Sequence, residues 1–185
     1  MSRKEILLSG AGGQGVLFFG TMLSLIAAQK GKRAVATSSY GAAMRGGEVK
    51  CAIVIADEEI HDLIVDEADI VVALNEASLK KYGPKVKEGG VLICEDSEKT
   101  KAIVSTFNKQ FELVSVPLRG LGPERYHNMV AMGILSQIDP NFDIELIRKA
   151  LTKELKKKGK ESVVEENLTA VKSGCDWYIG EKSKK

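Results

Sequence analysis

The chain has 185 residues, a formal net charge of +2 from 27 basic and 25 acidic side chains, and 44% hydrophobic residues. That size and apolar content fit one domain with a full core, and the balanced charge gives no electrostatic case for nucleic acid. The longest apolar run, about residues 16–28, is broken by Gly20, Thr21 and Ser24 and falls short of the roughly 20 residues a bilayer needs, so no membrane is expected.

Residues 5–9 read as a short buried strand and 14–30 as a helix that Gly31 stops. Between them lies Gly10-Ala11-Gly12-Gly13-Gln14-Gly15, a Gly-x-Gly-x-x-Gly turn. Residues 33–38 form a second strand, followed by the polar glycine loop SSYGAAMRGGE, 38–48, and a third strand over 49–56. Residues 70–74 are wholly apolar, which places a fourth strand centrally in a sheet. Asn75 caps a short helix reaching Tyr82, and Gly89-Gly90 turns into a strand over 91–94. A helix near 98–109 then leads to a strand over 113–116. Strands alternating with helices predict a three-layer α/β/α domain with a mostly parallel, Rossmann-like sheet.

After Pro117 the chain turns helical. One helix is expected over 124–138, stopped by Asp139-Pro140. A second, capped by Asp143, puts Ile144, Ile147, Leu151 and Leu155 on one face. The basic run 156–160 reads as a solvated helix end favoured by the dipole. A last helix marked by Val164, Leu168 and Val171 is expected to close at Gly174, giving a C-terminal helical extension. The domain is expected to fill 1–180, with a frayed tail over 181–185. No signal-peptide grammar is present, so the cytoplasm is the expected location.

The first glycine loop has the strand–glycine–helix context of a phosphate site, where a helix N-terminus offers unpaired amides and a positive dipole end. A dinucleotide site also needs an acidic residue about 20 residues on, to hold ribose hydroxyls. Here Thr37, Ser38 and Ser39 end the second strand, and no Asp or Glu occurs between Gly10 and Glu48. NAD(P) is therefore disfavoured. Three readings stay open: glycines that merely allow tight packing, a phosphate-bearing ligand of another kind, and a partner chain reaching the loop. The second loop places Tyr40, Arg45 and Gly46-Gly47 at the carboxyl end of a strand, where open α/β sheets bind ligands. Arg45 is the natural charged hand for a phosphate or carboxylate.

The chemistry that is missing narrows the reading. No nucleophile elbow, P-loop lysine or metal-spaced His/Cys cluster occurs. Cys51, Cys94 and Cys175 are scattered, without the spacing of a conventional iron–sulfur site. Cys51 and Cys94 read as core residues. His127 reads as structurally satisfied, and catalytic residues are not identifiable.

GAGGQGV, 10–16, followed 23 residues later by SYGAAMRGG, 39–47, resembles the gamma subunit of 2-oxoacid:ferredoxin oxidoreductases. CAIVIADEEI, ADIVVALNEASL and RYHNMVAMG fit the same family. The Ser-Tyr-Gly and Met-Arg-Gly-Gly forms look most like the 2-oxoglutarate branch, although Ala42-Ala43 stand where a Pro-Glu pair is common. The resemblance implies oxidative decarboxylation of a 2-oxoacid with coenzyme A to acyl-CoA, carbon dioxide and reduced ferredoxin. It implies alpha, beta and delta partner subunits that hold thiamine diphosphate, magnesium and iron–sulfur clusters, with this chain binding none of them and inactive alone. Its share would be the coenzyme A site and the active-site channel. The binding residues so implied are Gly10, Gly12, Gly13, Gln14, Gly15, Ser39, Tyr40, Gly41, Arg45, Gly46 and Gly47. A non-catalytic interaction subunit, and gamma subunits for pyruvate, 2-oxoisovalerate or indolepyruvate, are the rival readings.

Overall fold

A computed structural model describes residues 3–41 and 46–184. Six strands form one sheet in the order β2-β3-β1-β4-β5-β6. They are β1 (Arg3–Ala11), β2 (Arg33–Tyr40), β3 (Glu48–Ala56), β4 (Ala68–Ala73), β5 (Val86–Glu95) and β6 (Glu112–Val116). In β1 the successive residues Ile6, Leu7 and Leu8 are all buried, so the central strands are covered on both faces. One core layer gathers Ile6, Leu8 and Ile53 with Phe19 of α1 (Val16–Gln29). The other gathers Leu7, Val54 and Val71 with Leu79 and Tyr82 of α2 (Glu76–Tyr82). The predicted three-layer α/β/α order is thus the observed one.

Five strands run the same way and β3 runs against them, antiparallel to both β1 and β2. The reason is chain length. Parallel neighbours need a crossover of a dozen or more residues, and β2 and β3 are separated by fewer. The second glycine loop is therefore a hairpin loop, and β2 still points along β1.

α2 starts where expected, with Asn75 Oδ1 accepting from the Ser78 amide at 2.8 Å. α3 (Glu98–Val104) stops earlier than the sequence pattern suggests. The chain leaves the helix so that the Phe107 ring covers Gly83, where a Cβ would sit 2.6 Å from the ring. Beyond β6 the single helix expected over 124–138 is divided. A short α4 (Leu118–Leu121) and a 3₁₀ turn Glu124–Tyr126 precede α5 (His127–Ile138). Asp143 caps α6 (Ile144–Lys157), accepting from the Glu145 amide at 2.8 Å, and Ile147, Leu151 and Leu155 are buried.

The expected stop at Gly174 is overturned. α7 (Val164–Lys182) runs straight through it. Glycine ends a helix when it turns left-handed, but Gly174 keeps a negative φ because it lies against α5. A Cβ there would sit 2.1 Å from the Val130 carbonyl oxygen, and one on Gly133 would sit 1.9 Å from that of Val171. The pair lets two helix backbones touch. Among the described residues no helix is long and apolar enough to cross a membrane.

Candidate functional site

At the carboxyl end of β1 the chain makes a tight turn. The Gln14 amide donates to the Ala11 carbonyl at 3.0 Å, and the Ala11 amide donates to Gln14 Oε1 at 2.7 Å. Gly13 and Gly15 take φ of 103° and 71°, conformations that side chains resist. α1 then begins with no side-chain cap and no acidic residue in its first turn. Its N-terminal amides and positive dipole end are left for an anion. Gly12 and Gly13 are exposed, and among the described residues nothing lies within 4 Å of where a Cβ on Gly13 would be.

The hairpin between β2 and β3 meets this turn directly. The Gly12 amide donates to the Gly47 carbonyl at 2.8 Å, and the Gly41 amide to the Glu48 carbonyl at 2.7 Å. Gly46 has φ 68°. Ser39 and Tyr40 are exposed at the end of edge strand β2. Both loops therefore share one edge of the sheet. Arg45 falls, with 42–44, outside the described residues.

The helices after β1 and β4 pass to opposite faces of the sheet. The crevice between those strand ends is thus a topological switch point, where ligands of open α/β sheets collect. A side-chain knot bridges it. Asn75 Nδ2 donates to Gln14 Oε1 at 2.9 Å, and Gln14 Nε2 donates to the Leu74 carbonyl at 3.3 Å. On the far side, Asn128 Nδ2 donates to the Gly15 carbonyl at 3.2 Å. The Gln14 side chain, one of the binding residues the resemblance implies, fastens the glycine turn to the end of β4. Asn75 was visible only as a helix cap, and Asn128 and Glu48 carried no local signal of a loop contact.

A cleft of about 970 Å³ opens from Gln14 and Asn75 across the ends of β5 and β6. Its wall carries five carboxylates, on Glu76, Glu95, Asp96, Glu98 and Glu124, against Lys99 and Arg119. His127 borders it, buried, with Nε2 3.2 Å from the Gly122 carbonyl. At the start of α1 a lysine approaches the glycine turn. Lys158, at the end of α6, places Nζ 5.0 Å from the ring centre of Phe18 in the first turn of α1. Phe18 is half-buried there while its neighbour Phe19 is fully enclosed. Beneath the hairpin, Glu48 accepts from Lys81 Nζ at 2.8 Å on both oxygens and contacts the Tyr82 hydroxyl. The Lys81 hydrogen bond, then that of Tyr82, holds the Glu48 carboxyl below its usual range.

The donor set does not suit a resident metal. Cys51, Cys94 and Cys175 are buried on β3, β5 and α7, and among the described residues no group of three His, Cys, Asp or Glu could hold an ion. Burial pushes the Cys51 thiol up to about 11 and that of Cys94 to about 12. Neither is a thiolate at neutral pH, so neither is a ready ligand or nucleophile.

This geometry defines an α/β protein with a glycine-lined switch-point site and no complete catalytic apparatus among its described residues. Residues 5–177 match the family model for pyruvate ferredoxin/flavodoxin oxidoreductase, and the chain belongs to that family. It is 36% identical to the 2-oxoglutarate synthase subunit KorC of Methanocaldococcus jannaschii, over 94% of this chain and 93% of that one. It is 29% identical to the ketoisovalerate oxidoreductase subunit VorA of Methanothermobacter thermautotrophicus, but spans only 36% of that relative's length. Among solved structures, the gamma subunit of a keto/oxoacid ferredoxin oxidoreductase from Geobacter sulfurreducens matches with a TM-score of 0.75 at 28% identity. That match covers 96% of this chain and 99% of the other. The 2-oxoglutarate:ferredoxin oxidoreductase of Magnetococcus marinus, solved with 2-oxoglutarate, coenzyme A and succinyl-CoA bound, shares the fold at a TM-score of 0.81 and 21% identity. It covers 97% of this chain and 32% of that one.

Proposed function

We propose that this chain is the gamma subunit of a multi-subunit 2-oxoacid:ferredoxin oxidoreductase acting on 2-oxoglutarate, and that its two glycine loops take the phosphates of coenzyme A. The observation that carries the reading is the bond between the loops, from the Gly12 amide to the Gly47 carbonyl, beside an α1 N-terminus that no side chain caps. That arrangement offers backbone amides and a positive dipole end to an anion while asking for no ribose-binding acid. It fits a phosphorylated co-substrate better than a nicotinamide dinucleotide. The acidic cleft lies on the opposite side of Gln14, so the phosphates would approach from the α6 side. Arg45 is assigned the pairing role on the strength of the sequence alone. A charge-assisted pair of this kind contributes about 1.5–3 kcal/mol, and Arg45→Ala should raise the Michaelis constant for coenzyme A by one to two decades.

The chain's own contribution is binding and placement. Thiamine diphosphate, magnesium and iron–sulfur clusters are assigned to alpha, beta and delta subunits, and those groups would supply the decarboxylation and electron transfer. Near-complete mutual coverage with a 2-oxoglutarate synthase subunit favours 2-oxoglutarate as the substrate. The test is co-expression with the companion subunits and assay of coenzyme A-dependent dye reduction against a panel of 2-oxoacids. Highest turnover per Michaelis constant with 2-oxoglutarate is expected. Preference for 2-oxoisovalerate would move the chain to the branch of the VorA relative. Activity that persists without this chain would make it a non-catalytic interaction subunit.

A further inference from the structure

α6 lies antiparallel along α1. Its C-terminal end meets the first turn of α1 through Lys158 and Phe18, and the start of the preceding turn meets the far end through Lys30 Nζ, which donates to the Pro140 carbonyl at 2.8 Å. Its inner face is apolar and buried. Its outer face carries Arg148, Lys149, Lys153, Lys156 and Lys157, with Lys160 just past its end, all exposed. Residues 144–160 hold seven basic side chains and two acidic ones, a local +5 in a chain whose total is +2. The rest of the molecule is therefore net acidic.

Two physical facts set this basic face apart from an ordinary solvated helix end. The helix dipole favours cations only in the last turn, which accounts for Lys156 and Lys157 but not for Lys149 or Lys153. Those two, with Lys157, stand four residues apart, and like charges at that spacing repel and weaken the helix. Self-contained folding would favour a glutamate among them. Yet the carboxylates of α6 engage other cations. Glu145 pairs with Arg148 at 3.9 Å and Glu154 with Lys158 at 3.0 Å, and among the described residues five of the lysines have no ion pair. On α1, whose Phe18 meets Lys158, Phe18 and Leu25 fall seven residues apart on one face, and both are partly exposed. Apolar area flanked by charge is the make-up of a protein interface.

We infer that the outer face of α6, with Phe18 and Leu25, docks an acidic surface of a companion subunit, which would then sit next to the glycine turn. The inference rests on the reading of this chain as a subunit of a larger enzyme. Charge complementarity selects the occupant: an acidic protein surface relieves the lysine repulsion and buries the apolar strip together. The test is lysine acetylation of the purified chain and of the assembled complex, read by mass spectrometry. Labelling of Lys153, Lys156 and Lys157 should be lost or clearly slowed in the complex, while Lys101 on the opposite face of the sheet keeps its rate. The variant Lys149→Glu/Lys153→Glu/Lys156→Glu should fold, because all three side chains are exposed. Its association rate with the companions at low salt should fall about ten- to a hundredfold. Unchanged labelling in an intact complex, or an unchanged association rate, would overturn the docking face alone. Protection appearing only with added RNA or with anionic phospholipid vesicles would overturn it in favour of those partners. Failure to recover any companion would overturn the subunit assignment, and the docking face with it.

Discussion

The α5–α7 crossing and the switch-point loops are both built on glycine, and they use it in opposite ways. At the crossing, Gly133 and Gly174 have regular helical backbones and no room: a methyl group would strike a backbone carbonyl within about 2 Å. At the loops, Gly13 and Gly46 have positive φ, and among the described residues no atom lies within 4 Å of where a Cβ on either would be. The first pair is there because atoms must touch. The second is there because the chain must bend sharply while leaving its amides uncovered. Sequence treats both as punctuation, and only the surroundings tell packing from function.

The largest expected effect lies at the crossing. Gly174→Ala pushes a Cβ to 2.1 Å from a backbone oxygen that no rotamer can move. Forcing α5 and α7 apart should cost about 2–4 kcal/mol, a fall in melting temperature of roughly 5–15 °C. Gly180→Ala is the matched control on the same helix. It is exposed with nothing within 4 Å, so removing glycine there should stabilise by about 0.5–1 kcal/mol. Thermal melts of the two variants moving the same way would remove the packing account of Gly174.

Gly15 stands between the two uses. Its φ of 71° is one that side chains resist, and a Cβ would lie 2.3 Å from Asn128 Nδ2. Gly15→Ala should therefore cost stability, about 1–3 kcal/mol from strain, and disturb the start of α1 as well. Gly12→Ala should separate the functions cleanly. Its Cβ would meet Gly46 and Gly47 at 3.6–3.7 Å, an ordinary contact. Melting should shift by less than about 2 °C. The methyl group would nevertheless stand on the exposed surface assigned to coenzyme A, and its Michaelis constant should rise about tenfold. A normal constant in the assembled enzyme would return Gly12 to a packing role.

Much of this plan was readable beforehand because it follows from local rules. The run of apolar residues in β4 marked a central strand, Asn75 and Asp143 announced helix starts, and Gly10 to Gly15 announced a sharp turn before an apolar helix. The direction of β3 was also available, since too few residues separate it from β2 for a crossover, but periodicity alone does not carry direction. What lay out of reach was contact between distant segments. Gly174 looks like a stop until α5 is placed against it. The bond from Asn75, 61 positions away, to Gln14 Oε1 is likewise announced by no local pattern. The resemblance pairs the glycine loops, and the fold brings them side by side: β3 runs back beside β1 and sets Glu48 opposite Ala11.

The smallest effect concerns the tie beneath that pair. Glu48 begins β3 directly after the second loop, and its carboxylate is held by Lys81 and Tyr82 at the end of α2. One side chain thus anchors the hairpin to the helix whose Asn75 cap holds Gln14. Because these bonds favour the charged form, the folded carboxyl lies below its usual value. A depressed carboxyl adds stability above its unfolded pKa of about 4.3, and that contribution is lost as pH falls through the folded pKa. The side chain is 36% exposed, so solvent keeps the contribution small. Glu48→Gln should lower the melting temperature by about 1–3 °C at pH 7, and the gap to the wild type should close as pH falls through the lowered folded value. A gap of equal size above and below that value would mean that the side chain acts through packing rather than through its charge. If the gap closes and the variant also raises the Michaelis constant for coenzyme A, the anchor controls the loop as well as the fold. An unchanged constant would confine Glu48 to stability and leave the bond between Gly12 and Gly47 to hold the two loops together by itself.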